Sequence, residues 1–210
     1  SVIVIPLILA SNSPRRRQLL EQIGLSFRVI TAEVAEDLPA GCDLAAGVRE
    51  VARRKAEAVA SRVKEGLVLG ADTLVVLNGE ALGKPAGPQE AFNMLTRLQG
   101  REHQVITGVA LVDAASGACL LEHELTRVWM RDLTPREIWQ YVATGEPLDK
   151  AGAYGIQGKG AMLVERIAGC YFNVVGLPLV KVAGMLKQFG LDPWEVGNGK
   201  GNGARVSFDH

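Results

Sequence analysis

Cysteine is scarce in this chain. Cys42, Cys119 and Cys170 are scattered over 210 residues, with no CxxC pair and no Cys/His cluster. That odd, dispersed set supports neither a disulfide framework nor a zinc site, and it fits a reducing cytosol. An excess of charge of one sign is also missing. Lys plus Arg number 23 and Asp plus Glu number 23, giving a formal net charge of zero. This balance argues against a general DNA or RNA binder and leaves room only for a local basic pocket. No apolar run is long enough to span a bilayer. The opening Ser1–Ala10 stretch is short, lacks the charged start of a signal peptide, and is expected to lead into a buried first strand. His103, His123 and His210 have no metal-ligand spacing, and neither a GxSxG elbow nor a Walker A pattern occurs. A nucleophilic triad and a P-loop NTPase therefore find no support.

What the chain does have is apolar material, 48% of its residues, enough for a sizeable core in one large domain or two lobes around a cleft. Leu7–Ser11 reads as a buried strand, and Ser13-Pro14 as the N-cap and first residue of a helix that Gly24 stops. Phe27–Thr31 is a second strand, followed by an acidic loop over 32–42. Asp43 is placed to cap a long helix to about Val63, with Leu44, Val48, Val51 and Val59 as its apolar stripe. Leu67–Ala71 is an apolar run ending at Asp72, and Thr73–Leu77, Asn78-Gly79, Glu80–Leu82 spells a hairpin. A helix from Pro88 ends at Gly100. Gln104–Asp113 and Leu120–Met130 form a strand pair turning at Ser116-Gly117. A helix from Thr134-Pro135, a Gly-rich loop over 152–160, a strand near Met162–Ile167 and a last helix from Leu177-Pro178 to Gly190 complete the pattern. Early alternation of strands and helices followed by hairpins predicts an α/β fold with a mixed sheet. No linker separates two independent domains, and the Gly/Asn-rich tail from Gly197 reads as a flexible end.

Several side chains in this pattern suit an anionic ligand. Ser11-Asn12-Ser13-Pro14-Arg15-Arg16-Arg17 lies at a strand-to-helix turn, where free N–H groups and the helix dipole attract anions. Hydroxyls and guanidinium groups there add directed donors for phosphate; the same residues also make an ordinary capped helix with solvated arginines. Asp72, directly after a buried run, suits either metal binding and proton acceptance or a simple turn cap. Glu33, Glu36 and Asp37 offer a second carboxylate or a solvated acidic loop. Lys55 shares the apolar stripe of its helix, so it must snorkel to water or meet an anionic partner. Lys84 in Gly83-Lys84-Pro85 follows the hairpin, either near the same cleft or as a plain turn lysine. Gln157, amid glycines, carries an amide able both to donate to and accept from a base edge.

In order, Leu9-Ala10-Ser11-Asn12-Ser13-Pro14-Arg15-Arg16, Arg54-Lys55-Ala56, Gly70-Ala71-Asp72-Thr73, Gly83-Lys84-Pro85, residues 146–158 (Glu146-Pro147-Leu148-Asp149-Lys150-Ala151-Gly152-Ala153-Tyr154-Gly155-Ile156-Gln157-Gly158) and Asn173-Val174-Val175-Gly176-Leu177-Pro178 together resemble the Maf-like nucleotide pyrophosphatases, also described as septum-formation inhibitors. Each segment is weak alone; the ordered set over roughly residues 7–190 is specific. The resemblance implies an α/β fold of the Maf/ITPase type, with a mixed, twisted central sheet flanked by helices and two lobes around a substrate cleft. It implies one domain over 1–196, a tail over 197–210, a homodimer and a cytoplasmic location.

The resemblance further implies hydrolysis of a nucleoside triphosphate between its α and β phosphates, with no nucleic-acid or membrane partner. Asp72 matches the family's proton acceptor and Glu36 the second acidic residue, the two together holding a divalent cation, Mg2+ or Mn2+. Ser11, Arg15, Arg16, Lys55 and Lys84 match phosphate-handling positions, Lys84 counted with the catalytic set. Arg15, Thr73 and Gln157 match the positions tied to substrate choice, and their identities look like the dTTP/UTP branch. A 7-methyl-GTP pyrophosphatase of the same family, a non-hydrolysing nucleotide-binding regulator of cell division, and a nucleic-acid-binding regulator are the rival expectations.

Overall fold

A computed structural model describes residues 4–196 and 206–208. Its first stretch runs β1 (Leu7–Leu9), α1 (Pro14–Gln22), β2 (Phe27–Val29), α2 (Leu44–Ala60), β3 (Leu67–Leu77), β4 (Glu80–Leu82) and α3 (Pro88–Leu98). The remainder runs β5 (Glu102–Asp113), β6 (Cys119–Met130), α4 (Pro135–Val142), β7 (Val164–Ala168), α5 (Tyr171–Val175), α6 (Leu179–Gln188), α7 (Pro193–Val196) and β8 (Val206–Phe208). The strand order is β7-β6-β5-β3-β1-β2-β8, with β4 hairpinned onto β3. Pairing is parallel at β1/β2, β1/β3 and β2/β8 and antiparallel at β3/β4 and β6/β7. This is the mixed sheet expected from early alternation and later hairpins.

The chain forms two compact units. The first contains residues up to Asp72, Thr107–His123 and the chain from Gly176; the second contains Thr73–Ile106 and Glu124–Val175. The chain passes from one to the other inside β3, β5 and β6 and again directly after α5, between Val175 and Gly176, which is why no linker composition marks a boundary.

In the first unit the caps follow the sequence signals. Ser13 accepts from the Arg16 amide with Pro14 behind it, and Asp43 accepts from the Ala46 amide at 2.7 Å, each satisfying an N–H that the helix leaves free. Helix α1 ends before Gly24, whose φ of +80° takes the left-handed turn that stops it. Helix α2 stops at Ala60, short of Val63. Its buried face is Gly47, Val48, Val51, Ala52, Ala56, Val59 and Ala60, while Leu44, expected on the stripe, is only half-buried. The small residues matter because α2 lies backbone-close to the strands. A Cβ on Gly70 would sit 2.5 Å from the Ala52 carbonyl oxygen, and one on Gly108 would overlap the Val48 carbonyl. Ile8, Ala10, Ile30, Val68, Ala110 and Val112 complete this core against Ala52, Ala56 and Val59.

The second unit has its own core, in which Val75, Leu77, Leu95, Val105, Val128, Met130, Ile138, Tyr141 and Tyr154 pack together. Thr134 and Glu137 form a reciprocal capping box on α4. The Gly-rich segment is not an open loop. It folds into short 3-10 turns at Glu146–Asp149, Ala151–Ala153 and Gly158–Met162. Helix α5, only five residues long, is too brief for its period to be read from sequence.

The tail corrects an expectation. Val206–Phe208, read as part of a flexible end, forms β8 parallel to β2, with Phe27 opposite Val206. A Val-Ser-Phe alternation suits a strand, but the Gly/Asn run before it hides so short a signal. The rest of 197–210 lies outside the described residues. Among the described residues no helix is long and apolar enough to cross a membrane.

Candidate active site

The site grows from the end of β1. Ser11 follows this strand closely and Ser13 caps α1, so a parallel strand's carboxyl end meets a helix amino end, the usual place for an anion in open α/β sheets. Ser11 Oγ accepts from the Ser13 amide at 3.1 Å and from Arg16 Nη1 at 3.4 Å. Arg16 Nε donates to the Gly176 carbonyl at 2.8 Å. Arg16 is thus a tethered, half-buried guanidinium, not a solvated one. Burial lowers its pKa to about 10, against the pull of Asp72 and with a smaller push from Arg15, so it stays charged at neutral pH. Arg15 is half-buried at the first turn, while Arg17 turns away to the Asn12 carbonyl at 3.2 Å.

The choice left open for Lys55 is settled in favour of a partner. Its ammonium donates to the Ala71 carbonyl at 3.2 Å and to Asp72 Oδ1 at 3.3 Å, and it pairs with Glu36 Oε1 at 3.0 Å. The Lys55 and Asp72 side chains are 17% and 13% exposed, whereas Glu36 is 64% exposed. Burial pushes the Asp72 carboxyl above its ordinary range, opposed by the charges of Lys55 and Arg16 and aided by Glu36. Asp72 is therefore a covered carboxylate with raised proton affinity, bonded by Lys55 and acted on by the charges of Arg16 and Glu36.

Asp72 does not end its strand, as the apolar run before it suggested; β3 continues to Leu77. The expectation fails because Leu74-Val75-Val76-Leu77 resumes the apolar pattern. Its position relative to β1 does follow the ligand-site rule, however. The pairing of β1 with β3 ends at Leu9 opposite Leu69, so Asp72 lies beyond the carboxyl end of that parallel partner.

Arg54 is a residue that sequence reasoning placed only within a motif. Its Nη1 donates to the carbonyls of Ala35 at 3.2 Å and Asp37 at 2.8 Å, on either side of Glu36, and its Nε meets Glu50 at 3.3 Å. The acidic loop is thereby clamped to α2, which also carries Lys55. Contacts to backbone carbonyls leave no residue-type pattern, so no sequence signal announced them.

Asp72 and Glu36 make a two-carboxylate set. Among the described residues no cluster of three or more His, Cys, Asp or Glu side chains could hold a metal. Two carboxylates on one ammonium do not make a cage for a resident ion. They do suit Mg2+, which is commonly held by one or two carboxylates together with substrate phosphates.

Thr73, Lys84 and Gln157 belong to the second unit. Thr73 continues β3 directly after Asp72. Lys84 is exposed just beyond β4, and the neighbouring Gly83 carbonyl accepts from the Gly152 amide at 3.1 Å, tying the Lys84 turn to the Gly-rich segment. Gln157 is exposed on that segment.

Comparison with known proteins identifies the family. The family model described as Maf-like protein matches residues 6–189. The dTTP/UTP pyrophosphatase of Pelotomaculum thermopropionicum is 55% identical over 184 residues, covering 88% of this chain and 96% of that protein. The dTTP/UTP pyrophosphatase of Moorella thermoacetica is 55% identical over 188 residues, covering 90% and 97%. Among solved structures, the Ham1 protein of Staphylococcus aureus aligns over 88% of this chain and 99% of its own at a TM-score of 0.51, with 18% identity, a likeness of fold alone. A family match over nearly the whole described chain, with relatives sharing half their residues, means that this chain belongs to the Maf-like family.

Proposed function

We propose that this chain is a cytoplasmic nucleoside triphosphate pyrophosphatase that hydrolyses dTTP and UTP to the monophosphate and pyrophosphate. The observation that carries the reading is the covered Asp72 carboxylate, held by Lys55 and facing the Arg16 guanidinium beside a helix amino end. An anion site next to a carboxylate with raised proton affinity suits attack of water on a phosphate.

In this reading Ser11, Arg15, Arg16 and the α1 amides bind phosphate oxygens. Asp72 accepts a proton from water as its oxygen bonds the α phosphorus. The bond from that phosphorus to the bridging oxygen breaks, and pyrophosphate leaves with the electron pair. Lys55 orients Asp72 and favours its ionised form against the effect of burial. A divalent cation, Mg2+ or Mn2+, held by Glu36 and Asp72 with the triphosphate, supplies charge neutralisation when bound. The two carboxylates divide the work by exposure: the covered Asp72 favours proton acceptance, and the open Glu36 favours the ion. The family resemblance adds Lys84 as a phosphate contact and Thr73 and Gln157, with Arg15, as determinants of pyrimidine choice. It also adds a homodimer, which sedimentation velocity reads. Neither nucleic acid nor membrane is a partner in this reading, in keeping with the zero formal charge.

The test is pyrophosphate release across a nucleotide panel, with and without Mg2+ or Mn2+. The expected result is metal-dependent turnover with dTTP and UTP preferred over 7-methyl-GTP and the purine triphosphates. A preference for 7-methyl-GTP would reassign the substrate. Tight nucleotide binding without pyrophosphate release would make the chain a sensor instead.

A further inference from the structure

The second unit contains a carboxylate that the proposed chemistry does not use. Glu146 Oε1 accepts from the Tyr141 hydroxyl at 2.7 Å and from the Gly160 amide at 2.9 Å, and Oε2 accepts from the Lys159 amide at 3.0 Å. The Tyr141 oxygen in turn accepts from the Gly155 amide at 3.1 Å. Carboxylate and phenol therefore hold the backbone on both sides of Gln157, at Gly155 before it and at Lys159 and Gly160 after it.

The segment closes around this pair. A Cβ on Gly160 would overlap the Gly155 carbonyl, and one on Gly158 would lie 2.7 Å from Glu146 Oε2. Gly158 also has a φ of +59°, which favours glycine. The Lys150 ammonium donates to the Glu146 carbonyl at 2.8 Å and to Asp149 at 2.9 Å. Gln157 is exposed between these contacts, on extended backbone with φ −76° and ψ 173°.

Backbone N–H bonds to an ionised carboxylate are the strong kind, and Glu146 is held in that form. Burial alone would raise its carboxyl, but the Tyr141 hydroxyl, the Gly160 and Lys159 amides and the Lys150 charge outweigh it and keep it below the usual range. Burial, with the bond to Glu146, pushes the Tyr141 phenol up, so it remains a donor.

The geometry points to Glu146, acting with Tyr141, as the positioning residue that fixes Gln157 for reading the pyrimidine ring of the substrate. This inference rests on the proposed role of Gln157 as the base contact. A lone amide reads poorly, since it carries one donor side and one acceptor side and can turn over. Thymine and uracil present an N–H beside a carbonyl; cytosine presents a bare ring nitrogen beside an amino group. An amide on a floating loop can swing to suit either pattern. An amide rising from a pinned backbone has less freedom to do so, and the wrong base leaves polar groups unpaired. Glu146 touches neither substrate nor reacting atoms; it acts through the loop.

The test compares Glu146→Gln, Tyr141→Phe and Gln157→Ala in the full chain, by amide hydrogen exchange and by kinetics with dTTP and dCTP. Glu146→Gln keeps the size but sets an amide donor against the Lys159 N–H. The Lys159 and Gly160 amides should then exchange about tenfold faster or more, matching the loss of charge-assisted bonds. KM for dTTP should rise about tenfold with kcat nearly unchanged, and the dTTP-over-dCTP preference should collapse to that of Gln157→Ala. A purely structural role would instead lower turnover of both nucleotides alike. Unchanged exchange at Lys159 and Gly160 overturns the inference. So does an intact preference in Glu146→Gln alongside a lost one in Gln157→Ala, a result that leaves Gln157 as the base contact. An intact preference in Gln157→Ala overturns the reading of Gln157 itself, and the inference falls with it. Should Glu146→Gln fail to fold, Tyr141→Phe must weaken the preference in the same direction, and an unchanged preference there overturns the inference.

Discussion

Lys55 reaches the Asp72 carboxylate at 3.3 Å and the Ala71 carbonyl at 3.2 Å from a helix whose neighbouring Ala56 and Val59 are buried in the core. A covered ammonium and a covered carboxylate each cost desolvation, and each makes the other tolerable. A simple hydrophobic pair would serve stability as well, so the pair is best understood through the charge it keeps at the site.

Replacing Asp72 with Asn keeps the shape and removes the proton acceptor. Turnover should fall by about 10²- to 10⁴-fold, the usual worth of a positioned general base. The fold should persist with a lowered melting temperature, because the covered Lys55 loses one counter-charge while keeping Glu36. Steady-state kinetics and calorimetry check both halves. Near wild-type turnover would remove Asp72 from the mechanism.

The pH profile follows from the direction of the Asp72 shift. The residue acts as a base only when ionised, and burial raises its pKa above the ordinary 3.8. Activity should therefore fall, as pH drops, at a higher pH than a solvated aspartate would give. Lys55 pulls the pKa down, so Lys55→Met should move this acid limb to still higher pH while lowering kcat/KM. An acid limb that does not move in Lys55→Met would contradict the coupling.

Arg54 clamps the carbonyls that flank Glu36. Arg54→Ala should loosen the acidic loop and raise the Mg2+ concentration needed for half-maximal rate by about tenfold, in line with the effect of supporting residues around a metal. Turnover at saturating metal should change little. Arg54→Lys cannot span both carbonyls with one point charge and should not restore affinity. A metal titration on each variant decides it.

Gly108→Ala tests the packing that brings Lys55 to β3. Its new Cβ would meet the Val48 carbonyl and the Arg49 amide, which are backbone atoms of a helix and cannot step aside alone. Destabilisation of about 1–3 kcal/mol is expected from such overpacking, read as a lower denaturation midpoint. Gly79→Ala is the control for a glycine with open space around it. Strain at its φ of +79° costs stability without any clash, so its loss should be smaller.

Much of this was legible in the residues. Ser13, Asp43 and Thr134 announced their helices because capping is local chemistry, and Asn78-Gly79 announced its turn because few residues tolerate positive φ. Lys55 on an apolar stripe signalled a buried partner without saying which one. The partner itself was not legible, since Asp72 and Glu36 meet Lys55 only through tertiary packing. Arg54 and Glu146 were missed as organising residues for a related reason: each binds backbone groups, which every residue carries. The extension of β3 past Asp72 was missed because two polar residues interrupted an otherwise apolar run.

Cleavage between the α and β phosphates is decided by identifying the products of dTTP hydrolysis. Purified wild-type chain with Mg2+ should convert dTTP to dTMP and pyrophosphate in equal amounts, and Asp72→Asn should do so at least about a hundredfold more slowly. Formation of dTDP and orthophosphate, or dTTP left intact at every metal tested, would rule out pyrophosphatase activity in this chain.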